Sequence, residues 1–194
     1  SSSPTIAVDR SNKAHLFWEE MTGCYGDYFE VYYQKINPTL APEDGGAVDI
    51  SQITEIPAKR LTQKDDCYDS WSPDAAIEEG CSSQRIDVAW KDSRYEWTDL
   101  FTRELDTEGN FVTEETLMTP SEYTDDYCYQ NECSASISVG KGNVYIAWEG
   151  YNYNNYSYNI FLAQASKTEG DDNVGDACDS CAAGDDSIDS DGDE

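Results

Sequence analysis

The sequence predicts an all-β chain of about three four-stranded repeats that ends in an irregular Asp-rich tail. Three observations predict it. A fixed order of short strands recurs three times, a tryptophan closes the second strand of each copy, and apolar residues nearly vanish from Lys167 onward.

Each copy opens on a short strand: Ser3-Pro4-Thr5-Ile6-Ala7-Val8, Ser72-Pro73-Asp74-Ala75-Ala76-Ile77 and Ser134-Ala135-Ser136-Ile137-Ser138-Val139. After a polar turn comes an alternating strand that ends in tryptophan: Ala14 to Trp18, Ile86 to Trp90 and Val144 to Trp148. A charged residue follows each Trp. The third strands are Phe29 to Tyr33, Asp99 to Thr102 and Asn159 to Ala163. The first two copies add a fourth strand, closing on Arg60-Leu61-Thr62 and Leu117-Met118-Thr119. Period-two alternation rich in β-branched and aromatic residues favours strands over helices, and the intervening turn residues fit antiparallel hairpins. A β-sandwich also offers strands ending in aromatics, but it does not require this recurring order.

Charge sets the next bound. Forty acidic residues against 12 basic ones give a net charge of −28, which repels phosphate backbones and anionic lipid heads. Nucleic acid is therefore not an expected partner, and no apolar run reaches the roughly 20 residues of a bilayer span. Such a charge suits a disordered acidic chain, a halophile's surface or a protein that meets divalent cations. With 5 Trp and 14 Tyr the body carries core-forming material that disordered chains lack, so disorder fits only the tail.

The cysteines at 24, 67, 81, 128, 133, 178 and 181 lie mostly among turn residues, without the paired Cys and His spacing of a zinc site. They read as disulfides of an oxidising compartment, with one left over from the odd count; scattered reduced thiols are the other reading. Cys128 and Cys133, in one polar loop, are near enough to close a local disulfide. The chain is expected to be extracellular or at a cell surface, a processed piece whose targeting sequence has been removed.

On the three Ser-Pro or Ser-Ala openings, Trp18, Trp90 and Trp148, and the turn Leu105-Asp106-Thr107-Glu108-Gly109-Asn110, residues 3 to 166 resemble the sialidase-like (BNR-type) β-propeller repeats of secreted surface proteins. The resemblance implies propeller blades with expanded loops, since the tryptophans are 72 and 58 residues apart against roughly 40 to 50 for a compact blade. The aspartate-box consensus Ser-x-Asp-x-Gly-x-Thr-Trp is absent, and Arg10, Arg60, Arg85, Arg94 and Arg103 give no sign of converging on a substrate carboxylate. On that ground no enzyme is expected.

The tail, 167–194, contains Val174-Gly175-Asp176-Ala177-Cys178-Asp179 and Asp189-Ser190-Asp191-Gly192-Asp193. Calcium takes six to eight oxygens, which closely spaced carboxylates on a Gly-containing loop can supply. These stretches resemble a thrombospondin type 3 repeat, and the resemblance implies one Ca2+ site from Asp171, Asp172, Asp176 and Asp179 and a second from Asp186, Asp189, Asp191 and Asp193. No Glu stands at the twelfth position from Asp189, so an EF-hand is not expected. An unstructured acidic linker is the plain alternative.

Smaller signals remain. His15, the only histidine, reads as a strand residue rather than a ligand. Tyr151, Tyr153, Tyr156 and Tyr158 alternate with polar residues in a loop that suits either glycan stacking or ordinary cross-strand pairs. Together the expectation is a propeller-like body, 1–166, and a calcium-binding segment, 167–194, in an extracellular structural or adhesive protein that assembles with itself into an oligomer, fibre or surface layer. The alternative is a carbohydrate-binding module, or behind it a degenerate sialidase-like glycosidase.

Overall fold

A computed structural model describes residues 2–22, 27–41, 49–62, 67–78, 84–94, 98–119, 126–127, 135–140, 143–152 and 157–166. They form three antiparallel sheets. The first contains β1 (Ser2–Val8), β2 (Ala14–Met21), β3 (Phe29–Ile36) and β4 (Thr54–Arg60), hydrogen-bonded in chain order. The second repeats that order with β5 (Ser70–Glu78), β6 (Arg85–Asp92), β7 (Asp99–Asp106) and β8 (Thr116–Leu117). In the third, β10 (Ala135–Gly140), β11 (Asn143–Asn152) and β12 (Ser157–Ser166) lie in order, and β9 (Asp126–Tyr127) pairs with the end of β11. Since β12 runs along the whole of β11, β9 and β10 share its other edge as one interrupted strand.

The repeat in the sequence is a repeat of specific geometry. Ser3 and Ser72, each before proline, have φ of 49° and 50°, and the ladder slips beside them, between Ser2 and Thr5 and between Trp71 and Asp74. The Ser-Pro opening is thus a β-bulge, with proline where no ladder donor is needed. Each tryptophan stands opposite an aromatic of the third strand and stacks on it: Trp18 on Tyr32, Trp90 on Phe101 and Trp148 on Phe161, with ring centroids 5.9, 6.2 and 5.6 Å apart. The Leu-Thr ending is a latch. Leu61 and Met118 donate their amides to the Val31 and Leu100 carbonyls, while Thr62 Oγ1 donates to Glu30 (2.5 Å) and Thr119 Oγ1 to Asp99 (2.7 Å). The fourth strand of the first sheet begins further upstream than the sequence indicated, at Thr54, because Thr54, Ile56 and Lys59 also pair with β3.

The sheets stack face to face. Phe17, Val31, Tyr33 and Leu61 of the first meet Ile86, Val88, Trp90, Phe101 and Leu105 of the second in one buried cluster. On its other face the second sheet uses Ala89 and Leu100 against Ile137, Val144 and Ile146 of the third, with Trp148 packed alongside. β5 touches both β1 and β10, so the innermost strands converge as in a propeller. Gly109 closes the turn after β7 at φ +75°, where its amide donates to the Asp106 carbonyl; a Cβ there would sit 2.6 Å from the Tyr33 ring. The position requires glycine for both reasons.

Residues 167–194, and with them the proposed second unit, lie outside the described residues, as do Cys24, Cys81, Cys128, Cys133, Cys178 and Cys181. Cys67 is disulfide-bonded.

Trp90 fills the space between two sheets, whereas Thr119 contributes a single latch. Trp90→Ala is expected to cost about 3–5 kcal/mol and Thr119→Val about 1 kcal/mol in urea unfolding. Equal losses would refute this ranking of stacking over latching.

Candidate functional site

The strand alternation that turns Trp90 and Trp148 toward the preceding sheet turns the residue after each tryptophan to the opposite face. Those next residues are Glu19, Lys91 and Glu149, at one register position of β2, β6 and β11. Glu19 is buried; its Oε1 accepts from Ser2 Oγ (2.6 Å) and its Oε2 from the Ser72 amide (2.7 Å), so one carboxylate ties the bulges of two sheets together. Lys91, opposite Trp71, is 2 % exposed. Burial pushes its pKa down and the charge of Glu19 works against that shift. Trp71 Nε1 is buried without a partner among the described residues. A buried donor of this kind costs free energy unless an acceptor reaches it. An unpartnered indole N–H, a buried ammonium and a carboxylate therefore mark the bulged ends of β1 and β5.

Asp74 lies next in the same bulge, and its lone pairs are occupied. Oδ1 accepts from Thr5 Oγ1 (3.2 Å) and the Ala75 amide (3.0 Å), Oδ2 from Ser136 Oγ (3.1 Å) and the Ile137 amide (3.0 Å). One side chain thereby clamps β1, β5 and β10, giving the neighbouring Trp71 and Lys91 a rigid base.

Two other polar clusters are structural. His15 is fully buried between Asp9 and Tyr33, with Nε2 3.2 Å from Asp9 Oδ2 and Nδ1 3.0 Å from the Tyr33 hydroxyl, as befits a strand residue. Burial lowers the His15 pKa against the pull of Asp9, and raises that of Tyr33. Arg94 and Arg103 both reach Glu115, yet each guanidinium covers a ring, Phe101 and Phe111 respectively, 4.2 Å from its centroid. They hold the second sheet together rather than face an opening.

The calcium ligands nominated from the sequence, Asp171, Asp172, Asp176, Asp179, Asp186, Asp189, Asp191 and Asp193, lie outside the described residues, as do the side chains of Tyr151, Tyr153 and Tyr156. Tyr158 is described, exposed on β12 opposite Tyr151. Among the described residues no group of three or more His, Cys, Asp or Glu side chains could hold a metal ion. Glu19, Lys91 and Trp71 went unnoticed as a site, although the charge behind each tryptophan was visible.

No protein-family model matches the chain, and no curated protein matches it. Solved structures do resemble it. A thermostable family-43 glycoside hydrolase aligns with TM-score 0.52 and 9% identity over 87% of this chain and 55% of its own. An exo-1,5-α-L-arabinanase from a bovine ruminal metagenomic library aligns with TM-score 0.48 and 12% identity over 87% of this chain and 54% of its own. This chain thus spans about half the length of these structures. The likeness to the family-43 hydrolase shows a shared propeller-type fold.

That likeness corrects the expectation that the chain is not an enzyme, because a glycoside hydrolase is built on the same arrangement of sheets. The exclusion rested on a missing aspartate box and unconverged arginines, which are requirements of sialidase chemistry. Glycoside hydrolysis in general asks only for two suitably placed carboxyl groups.

The Asp9–His15–Tyr33 cluster yields a test. His15 has a folded pKa below its unfolded value, so the unfolded chain takes the proton first as pH falls. Its contribution is fully present above about pH 6.5 and is lost below, at up to about 1.4 kcal/mol per pH unit. As the only histidine, it should account for the loss of stability between pH 6.5 and 5.5 in urea titrations, and His15→Gln should flatten that slope. An unchanged slope would exclude His15 as the group responsible.

Proposed function

We propose that the chain is a carbohydrate-recognising propeller segment, with its ligand site at the bulged ends of β1 and β5. The observation that carries this is the buried indole N–H of Trp71, without a partner among the described residues, opposite the buried Lys91 and beside Glu19. A sugar hydroxyl both accepts and donates. It can take an N–H from Lys91 or Trp71 and give its own proton to a free lone pair of Glu19, which uses only two of about four. An indole also offers an apolar face to a pyranose or furanose ring. The shared fold of the family-43 glycoside hydrolase supports a saccharide ligand over the other chemistries a propeller can host.

Hydrolysis would ask for a second carboxyl group beside Glu19, and the lone pairs of Asp74 are filled by its four donors. One assay therefore reads both outcomes. On a panel of polysaccharides that includes arabinan, affinity electrophoresis should show retardation and a reducing-end assay any turnover. Lys91→Met is expected to weaken retardation by about 10-fold or more, the loss of a charged hydrogen bond. Migration unaffected by every glycan, with no reducing ends released, would end this proposal.

Residues 167–194 support a second reading on their pattern alone. The eight aspartates named above suit a calcium-binding segment of an extracellular, adhesive or surface-assembled protein, because closely spaced carboxylates repel until a cation neutralises them. Calorimetric titration with Ca2+ at moderate salt should give heat, and a chelator should lower the melting temperature. A thermally silent titration with an unmoved melting temperature would remove calcium from the account.

A further inference from the structure

We infer that Cys24 and Cys67 form a disulfide that ties the β2–β3 connection of the first sheet to the chain entering β5 of the second. The inference stands apart from the glycan reading, since it needs no ligand. Cys67 is disulfide-bonded and exposed, and it is the one cysteine among the described residues. Its partner is therefore one of Cys24, Cys81, Cys128, Cys133, Cys178 and Cys181, and a bridge requires two Cα atoms within about 4.4–6.8 Å of one another.

The described backbone beside Cys24 and beside Cys67 is pinned at one place. Thr22, two residues before Cys24, donates its amide to the Tyr28 carbonyl (3.1 Å), which holds together the two ends of the β2–β3 connection. Phe29 donates its amide to Asp69 Oδ1 (2.9 Å), and Asp69 stands two residues after Cys67. Two residues reach at most about 7 Å, so each cysteine stays near the contact of Phe29 with Asp69. Asp69 is itself fixed. Its amide donates to Ser93 Oγ (3.0 Å) and its carbonyl accepts from the Ser93 amide (3.0 Å), so its carboxylate is held toward the first sheet.

The other cysteines belong elsewhere in the fold. Cys81 falls between Glu78 and Arg85, the pair at which β5 ends and β6 begins. From Asp69 to Glu78 the chain runs about 30 Å at the usual rise of a strand, so the whole length of β5 separates Cys81 from Cys67. Cys128 follows Tyr127 and Cys133 precedes Ala135 by two residues, and both neighbours pair with β11 of the third sheet. That sheet packs on the face of the second sheet opposite to the one that meets the first. Cys178 and Cys181 follow Ser166, which pairs with Asn143 at the far end of the third sheet. Bond formation removes one proton from each thiol and two electrons from the pair, and a disulfide oxidant such as oxidised glutathione takes up those electrons and leaves as two thiols. The bridge then adds a covalent link to the buried contact between the first and second sheets.

Peptide mapping of the full chain decides the pairing. Alkylation with iodoacetamide before any reduction, then cleavage by trypsin and a glutamate-specific protease, puts Cys24 in 21–30, Cys67 in 65–79, Cys81 in 80–85, Cys128 in 123–132 and Cys133 in 133–141. Mass spectrometry should find 21–30 joined to 65–79. Dithiothreitol should part them in the folded chain, since Cys67 is exposed. Cys24→Ser and Cys67→Ser should each lower the melting temperature by about 5–15 °C, and the double variant should lose no more than either. An alkylated Cys24, 65–79 joined to any other peptide, or losses that add in the double variant would each overturn the pairing.

Discussion

Every sheet of this protein is apolar on both faces, and that constraint governs the rest. A solvated antiparallel sheet alternates apolar with polar residues and needs one cover. Here the second sheet sends Ile86, Val88 and Trp90 one way and Ala89 and Leu100 the other, so it must be sandwiched. A Trp–aromatic pair sits at each contact: Trp90, stacked on Phe101, packs toward the first sheet, and Trp148, stacked on Phe161, packs toward the second. Bulges and threonine latches serve this stacking. The former re-aim the inner strand, and the latter hold the outer strand against the third.

The polar chemistry of the inner strands follows from the same alternation. A residue beside an inward-facing tryptophan faces the opposite neighbour close to the inner strand, where sheets are nearest and water is scarce. Charges placed there are desolvated, as the lowered pKa of Lys91 and the two fixed bonds of Glu19 record. Asp74 meets the same requirement by saturation. It accepts from three strands and so converts a potential repulsive charge into the pin that fixes the inner strands relative to one another.

Most of the fold was legible because it is written locally. Ser-Pro, strand-final Trp and Leu-Thr are short motifs whose partners lie in the adjacent strand, so self-similarity exposed them. The turn at Gly109 was readable for the same reason, since Asp106 and Asn110 complete it within five residues. The candidate site was hardly legible. Lys91 and Glu19 are charged residues of ordinary type, and what distinguishes them is burial between sheets, which depends on neighbours more than fifty residues away. The exclusion of catalysis failed for a related reason: it tested the chain for the signature of one reaction, whereas a fold is shared by reactions with different signatures.

The threefold stacking has a consequence for how the chain loses its structure. A row of sheets that touch only their immediate neighbours behaves as a one-dimensional array, with a stability for each unit and a coupling for each contact. Among the described sheets the second has two such contacts and each of the others one, so the second is the last to exchange its amide protons. Tyr33 and Leu61 carry the coupling of the first sheet to the second, because their contacts cross the boundary to Trp90 and Leu105.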